Sequence, residues 1–221
     1  MKKVLVVCVH PDDETLAFGG TLLKHVNNGD EIYWCIVTKI TEDLGWSKKR
    51  ISNREKQIMI VSDLYPFNQV FRLNFLSTQL GPVQMSELIT SINNVVGIVK
   101  PNIVYLPYAY DIHTDHQIVF KAAISCTKNF RHPYINKILM GETLSETEFS
   151  YHHGTTFSPN VYVDISEFID KKIEIFKVYE EEIMAEEYPR SISNIENLSS
   201  YRGSSIGCKH AEAFMLIKEI L

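Results

Sequence analysis

The feature that most constrains the fold is a series of short, nearly unbroken apolar runs: KVLVVCV near 3–9, EIYWCIVT near 31–38, QVFRLNF near 69–75, NIVYLPY near 102–108 and KILMGE near 137–142. A strand with one wet face alternates apolar and polar residues, whereas a run that is apolar at almost every position suits a strand covered on both faces. Between the runs, stretches near 15–28, 48–64, 83–99 and 115–128 carry helical spacing and are stopped by Asn28-Gly29-Asp30, Pro66 and Pro101. This alternation predicts an α/β fold: a doubly wound, mostly parallel, Rossmann-like sheet of order 3-2-1-4-5, with right-handed crossovers and helices on both faces.

After residue 143 the rhythm changes. A strand near 161–165, an acid-rich amphipathic helix near 167–187, the polar stretch YPRSISNIENLSSYRGSSIG and a final apolar segment, AEAFMLIKEIL, form a C-terminal extension over 144–221, expected to pack on the 1–143 core. No linker sets it apart, so the 221 residues read as a single domain. No apolar run reaches the roughly 20 residues a bilayer demands, and Asp12, Asp13 and Glu14 cut short the one stretch resembling a secretion signal. Cys8, Cys35, Cys126 and Cys208 form no CxxC pair, which fits reduced thiols and a cytoplasmic location. The net charge of −5, with no basic block, argues against nucleic-acid and membrane partners and for a small molecule; a homo-oligomer is left open.

Chemistry concentrates in two places. The first strand runs directly into His10-Pro11-Asp12-Asp13-Glu14, at the sheet edge where phosphate-binding folds carry glycines. Adjacent carboxylates about 5 Å apart repel by roughly 3 kcal/mol at an effective dielectric near 20, so three acids and a histidine in one loop call for a cation. Helix capping alone explains one acid and leaves the others and His10 without a purpose. The second cluster, Asp111-Ile112-His113-Thr114-Asp115-His116, follows the fourth strand. In the order 3-2-1-4-5, strands one and four are neighbours at the switch point, so both clusters are expected to share one crevice. Two histidines and a carboxylate, with a position left open for water, suit a hydrolytic zinc centre.

His10 to Glu14 and His113-Thr114-Asp115-His116 resemble the two signatures, HPDDE and HxDH, of the PIG-L/LmbE family of zinc-dependent N-deacetylases. Gly141 to Ser145, FSPNVYVDIS, Pro189-Arg190-Ser191 and RGSSIGCKHAEAF resemble blocks of a sugar-directed branch, so the likeness extends over nearly the whole chain. Thr114 departs from it, standing where the family usually has proline. The resemblance implies His10, Asp13 and His116 as Zn²⁺ ligands and Asp12 as general base. It implies a protonated His113, held by Asp115 or Asp111, as donor to the oxyanion. Arg54 stands at a position resembling a substrate-contacting arginine of the family, the alternative being a solvated helix arginine paired with a neighbouring acid, and Glu14 and Asp111 are placed with it on the substrate side, Glu14 being suited also to hold a ligand or a loop amide. Such a ligand set would accept Fe²⁺ or Co²⁺ as well.

The implied activity is removal of an N-acetyl group from an amino sugar in a glycan precursor, nucleotide sugar or glycoconjugate, with cell-surface polysaccharide pathways favoured by the tail blocks. A zinc amidase acting on a non-sugar acylated molecule would use the same centre, and a non-catalytic nucleotide-binding module would need glycines where this chain has HPDDE. Among the remaining residues, Arg190 and Arg202 are expected in packing or tail anchoring as much as in substrate contact. His152 and His153 read as a surface pair; His25, His132 and His210 have no evident partners; Tyr108 and Tyr110 could flank a sugar ring.

Overall fold

A computed structural model of the chain describes residues 1–151 and 156–221; His152 and His153 lie outside the described residues. In chain order the elements are β1 (Lys3–Cys8), α1 (Asp13–Asn27), β2 (Glu31–Lys39), α2 (Lys48–Leu64), β3 (Gln69–Leu76), α3 (Met85–Val99), β4 (Ile103–Pro107), α4 (Thr114–Ser125) and β5 (Lys137–Gly141). There follow β6 (Val161–Asp164), α5 (Ile169–Phe176), α6 (Ile192–Ser204) and β7 (Ala211–Glu219). The strands form one sheet of order β3-β2-β1-β4-β5-β7-β6. The first five are parallel, as the apolar runs predict, and β7 lies antiparallel between β5 and β6.

The unbroken run of β1 has a direct structural meaning. Val4, Val6 and Cys8 enter a core shared with α1, α2, α5 and α6, while Leu5, Val7 and Val9 enter a second core shared with α3 and α4. Both faces of the strand are therefore dry. The chain winds from β1 outward to β3, then returns to place β4 on the other side of β1, and α1 and α4 leave the carboxyl ends of these neighbours toward opposite faces. The crevice between them is where an open α/β sheet binds ligands.

The C-terminal segment departs from expectation in three ways. The helix expected over 167–187 stops at Phe176, because Tyr179 turns into the core and a short 3₁₀ turn, Glu180–Glu182, delivers acids to Arg50, Arg54 and Gln57 of α2. The polar stretch contains a helix, α6, whose buried face is Ile195, Ser199 and Gly203. Small residues serve there because the chain crosses closely: a Cβ on Gly203 would lie 2.7 Å from the Cys208 carbonyl oxygen. The final apolar segment is a strand within the main sheet, so residues of the extension complete the sheet that the core begins.

A buried ion pair ties this extension to α1. Lys172 of α5 and Glu212 of β7 meet at 2.7 Å, and both also bond the backbone of α1: the lysine donates to the Leu16 carbonyl at 2.9 Å, and the carboxylate accepts from the Gly20 and Thr21 amides at 2.8 and 2.7 Å. Removing one member leaves the other charge buried without its counter-ion, which costs about 3–5 kcal/mol. Lys172→Met is therefore expected to lower the Tm by about 6–12 °C, read by thermal denaturation, and a Tm within about 2 °C of the parent would contradict this wiring.

Candidate metal centre and active site

The loop after β1 is shaped by its own acids. One carboxylate oxygen of Asp13 accepts from the amides of Val9 at 3.0 Å and His10 at 2.9 Å, closing the turn at the start of α1. Glu14, fully buried, accepts from the Asp12 amide at 2.9 Å, from Thr15 at 2.8 Å and from the Tyr179 hydroxyl at 3.0 Å. Between these clamps Asp12 takes a φ of 136°, a conformation costing a non-glycine residue about 1–3 kcal/mol, and its carboxylate lines a cleft of about 230 Å³.

The second cluster opens α4. Thr114 is its first helical residue, the position where proline is most at home, so threonine there loses no contact. His116 bonds through Nδ1 to a carboxylate oxygen of Asp111 at 2.8 Å, and the other oxygen of Asp111 accepts from Thr147 at 2.6 Å. This orients His116 Nε2 toward Asp13, 3.5 Å away. A carboxylate holding the far nitrogen of a histidine is the usual support for a metal ligand.

Two overlapping groups have donor atoms within 4.8 Å of one another: His10, Asp13 and His116, and His10, His113 and Asp115. His10 Nε2 is buried without a hydrogen-bond partner and stands 3.6 Å from Asp115, too far for a hydrogen bond. Inward-facing nitrogens with carboxylate oxygens at such separations fit a divalent cation, and the support given by Asp111 favours the first group. His113 lacks such support: its Nδ1 accepts the Asp115 amide at 3.1 Å as the N-cap of α4.

The charges agree with this reading. Burial alone would lower the His116 imidazolium, but Asp13 and Asp111 outweigh it and hold it up to about 9. Burial also penalises the Asp13 carboxylate, yet His116 and His10 draw it below its ordinary value. Asp12 is pushed up to about 6 by burial, against the pull of Arg190. Burial, reinforced by His10 and His116, brings His113 down to about 4.

Several expectations are corrected here. Neither carboxylate holds His113: Asp115 accepts the Thr78 amide at 2.6 Å and faces His10, while Asp111 supports His116. A neutral His113 with its proton on Nε2 is the form this geometry favours, in place of the expected imidazolium. Glu14 and Asp111 are fully buried and do not line the cleft, so neither is placed to meet substrate; Asp111 braces His116, and Glu14 holds the Asp12 amide, the loop-amide role that the sequence also offered for it. Arg54 does line the cleft, but it also donates to the Pro11 carbonyl and pairs with Glu182.

Arg190, Glu146 and Glu182 also line the cleft, and sequence reasoning did not single out either acid. Arg190 reaches Asp12 at 3.2 Å, Glu146 at 3.1 Å and Ser145 at 2.6 Å. Its only advance signal is the Pro189-Arg190-Ser191 block. Arg202 forms a two-pronged pair with Glu142, both contacts at 2.7 Å, and anchors the tail. Among the described residues the other histidines are structural ties: His25 joins Asp30 and Tyr105, His132 joins Asn93 and Tyr134, and His210 joins Ser199. Tyr108 and Tyr110 do not line the cleft.

Comparison with known proteins decides the family. The PIG-L profile, described as GlcNAc-PI de-N-acetylase, matches residues 5–127, more than half of the chain. The chain belongs to the PIG-L family. A curated relative, diacetylchitobiose deacetylase of Thermococcus kodakarensis, is 23% identical over 234 aligned positions, covering 100% of this chain and 85% of that protein. The crystal structure of N,N'-diacetylchitobiose deacetylase from Pyrococcus horikoshii superposes with a TM-score of 0.78 at 21% identity, covering 98% of this chain and 84% of that one. A 4-carboxy-2-hydroxymuconate hydratase from Pseudomonas putida KT2440 superposes equally well, TM-score 0.78 at 16% identity, covering 100% and 98%. These structural likenesses show a shared fold; with a hydratase among them, the reaction has to be argued from the site.

Two outcomes test the centre. His116→Ala is expected to lose bound Zn²⁺ on dialysis against a mild chelator while His113→Ala keeps it, as metal analysis would read; the reverse pattern would move the ion to the second group. Because metal must displace the proton from His116, binding near pH 7.5 is expected to release about one proton or more, with affinity falling as pH falls below about 9. Calorimetry in buffers of different ionisation heat measures this, and a binding heat independent of buffer would contradict it.

Proposed function

We propose that the chain is a zinc-dependent N-deacetylase that hydrolyses the acetamide of an N-acetylated amino sugar and releases acetate. The observation that carries this reading is the convergence of His10, Asp13 and His116 beside Asp12, a buried carboxylate facing the cleft. Bound by those three residues, Zn²⁺ supplies the Lewis acidity that makes water a nucleophile near neutral pH. Family membership and the deacetylase relatives support an amide substrate.

The chain's own groups divide the remaining work. Asp12, held aloft by its strained backbone and the Glu14 bond to its amide, takes the proton of the attacking water and returns it to the departing amine. Arg190 fixes the orientation of that carboxylate at 3.2 Å. His113, with Nδ1 engaged by the Asp115 amide, keeps Nε2–H for the carbonyl oxygen as it gains charge, and a neutral imidazole suffices for that hydrogen bond. Asp115 acts through position: its amide sets the His113 ring and its carboxylate anchors the Thr78 loop. The cysteines of the chain are free, which supports a reducing, cytoplasmic setting, and no helix among the described residues is long and apolar enough to cross a membrane.

A panel of N-acetylated sugars and non-sugar acetamides, assayed for released acetate, tests the substrate class. Sugar acetamides are expected to turn over; acetate released only from non-sugar amides would retain the centre and reassign the substrate. Asp12→Asn is expected to keep its zinc and lose about 10²–10⁴ in kcat, since it removes proton transfer and leaves the ligands intact. Loss of metal and activity together would place Asp12 among the ligands.

A further inference from the structure

The reacting end of the cleft is complete with the groups around Asp12 and His113. The cleft continues past them, along the carboxyl ends of β2 and β3 and the first turns of α2, where Lys39, Trp46, Arg50, Glu55, Arg72 and Ser77 form its walls. Hydrolysis of an acetamide makes no use of cations in this outer part, so their state of pairing bears on what else the substrate carries.

Each arginine of the cleft is compensated. Arg72 grips Glu55 with both guanidinium nitrogens, one of them at 2.6 Å. Arg50 pairs with Glu181 at 2.9 Å and Glu182 at 2.6 Å; Arg54 shares Glu182, and Arg190 lies on Asp12 and Glu146. Lys39 is different. Its ammonium has no ion pair or hydrogen bond among the described residues, and Glu55, a carboxylate that feels its charge, is already held by Arg72. At this point of the wall one acid, Glu55, faces two cations, Arg72 and Lys39.

The backbone that carries Lys39 is fixed. Lys39 ends β2 opposite Leu76 of β3, and its carbonyl accepts the Ser77 amide at 3.0 Å. The hydroxyl-bearing residues Ser77 and Thr78 line the same wall and add donors beside the ammonium. Trp46 stands at the mouth with 42% of its surface exposed and the Arg50 guanidinium against its ring, 5.8 Å from the centroid. An uncompensated ammonium beside hydroxyl donors and an open indole suits an anion attached to a larger group. A neutral sugar ring, rich in hydroxyls, is better matched by the carboxylates found at the inner end.

We propose that the outer end of the cleft is a subsite for a phosphate group carried by the amino sugar, with Lys39 as its charge partner and Trp46 as the platform for whatever the phosphate bears. This rests on the deacetylase reading above and narrows it to phosphorylated sugar substrates. A simple sugar phosphate and a nucleoside diphosphate sugar share that chemistry and differ only in how much they place on Trp46.

The test compares acetate release from N-acetylglucosamine, its neutral disaccharide, its 1-phosphate and its uridine diphosphate ester, using zinc-loaded protein and the variants Lys39→Gln, Lys39→Arg and Trp46→Ala. The phosphate-bearing substrates are expected to exceed the neutral ones in kcat/KM by about 10–100-fold, the usual worth of a hydrogen bond to a charged group. Lys39→Gln is expected to collapse that ratio and Lys39→Arg to restore most of it. A further loss in Trp46→Ala confined to the uridine diphosphate ester would mark the nucleotide sugar as the source; equal effects on both esters would mark the sugar phosphate. Equal use of neutral and phosphorylated sugars, or a ratio unchanged in Lys39→Gln, overturns the proposal. Direct binding of the 1-phosphate to the metal-free protein separates this from failure of the deacetylase reading. If no sugar releases acetate, binding that Lys39→Gln abolishes still supports the subsite, and no binding by the parent protein removes it.

Discussion

The carboxylate of Asp13 is the interaction on which the site depends. It closes the turn after β1 by accepting two backbone amides, begins α1, and turns toward His116 on a helix from the other side of the switch point. Asp13 and Asp111 hold the His116 imidazolium up, and His10 Nε2 is buried without a hydrogen-bond partner. A buried polar atom without a partner is costly for folding alone, and a divalent ion held by these residues would relieve it. The sheet order matters for the same reason: placing β1 beside β4 brings donor atoms from residues about a hundred positions apart within 4.8 Å of one another.

The C-terminal segment finishes what that shell begins. Tyr179 braces Glu14 beneath the loop, Arg190 holds Asp12, Glu182 joins three arginines of the wall, and the Lys172–Glu212 pair fastens the segment to α1. Asp12, the proposed base, is thus supported from two directions: by a strained backbone anchored within its own loop, and by a guanidinium delivered from 178 residues away.

Much of this was legible in the amino-acid order. Both faces of β1 are buried, so its run is unbroken and announces a parallel sheet; HPDDE and HTDH are contiguous, so their chemistry shows without a structure. What stayed hidden depends on distance or on direction. Arg190, Glu146 and Glu182 act through contacts that no local spacing encodes. The spacing of His113 and Asp115 does not tell that the amide of Asp115, and not its carboxylate, meets the ring. Glu14 and Asp111 stand among residues that line the cleft, yet the fold turns both inward to hold the backbone and a histidine. The helix α6 escaped notice because Ser199 and Gly203 pack by being small, which breaks the apolar period.

The measurement that bears most directly on the central claim is acetate release from an N-acetylated amino sugar by chelator-stripped protein titrated with Zn²⁺. Hydrolysis is expected to be absent from the stripped protein and to return in proportion to the metal bound, reaching its limit at about one ion per chain, the number that three ligands with one open position hold. Full turnover by the metal-free protein, or stoichiometric binding at the His10, Asp13 and His116 centre with no acetate released from any sugar, would contradict it.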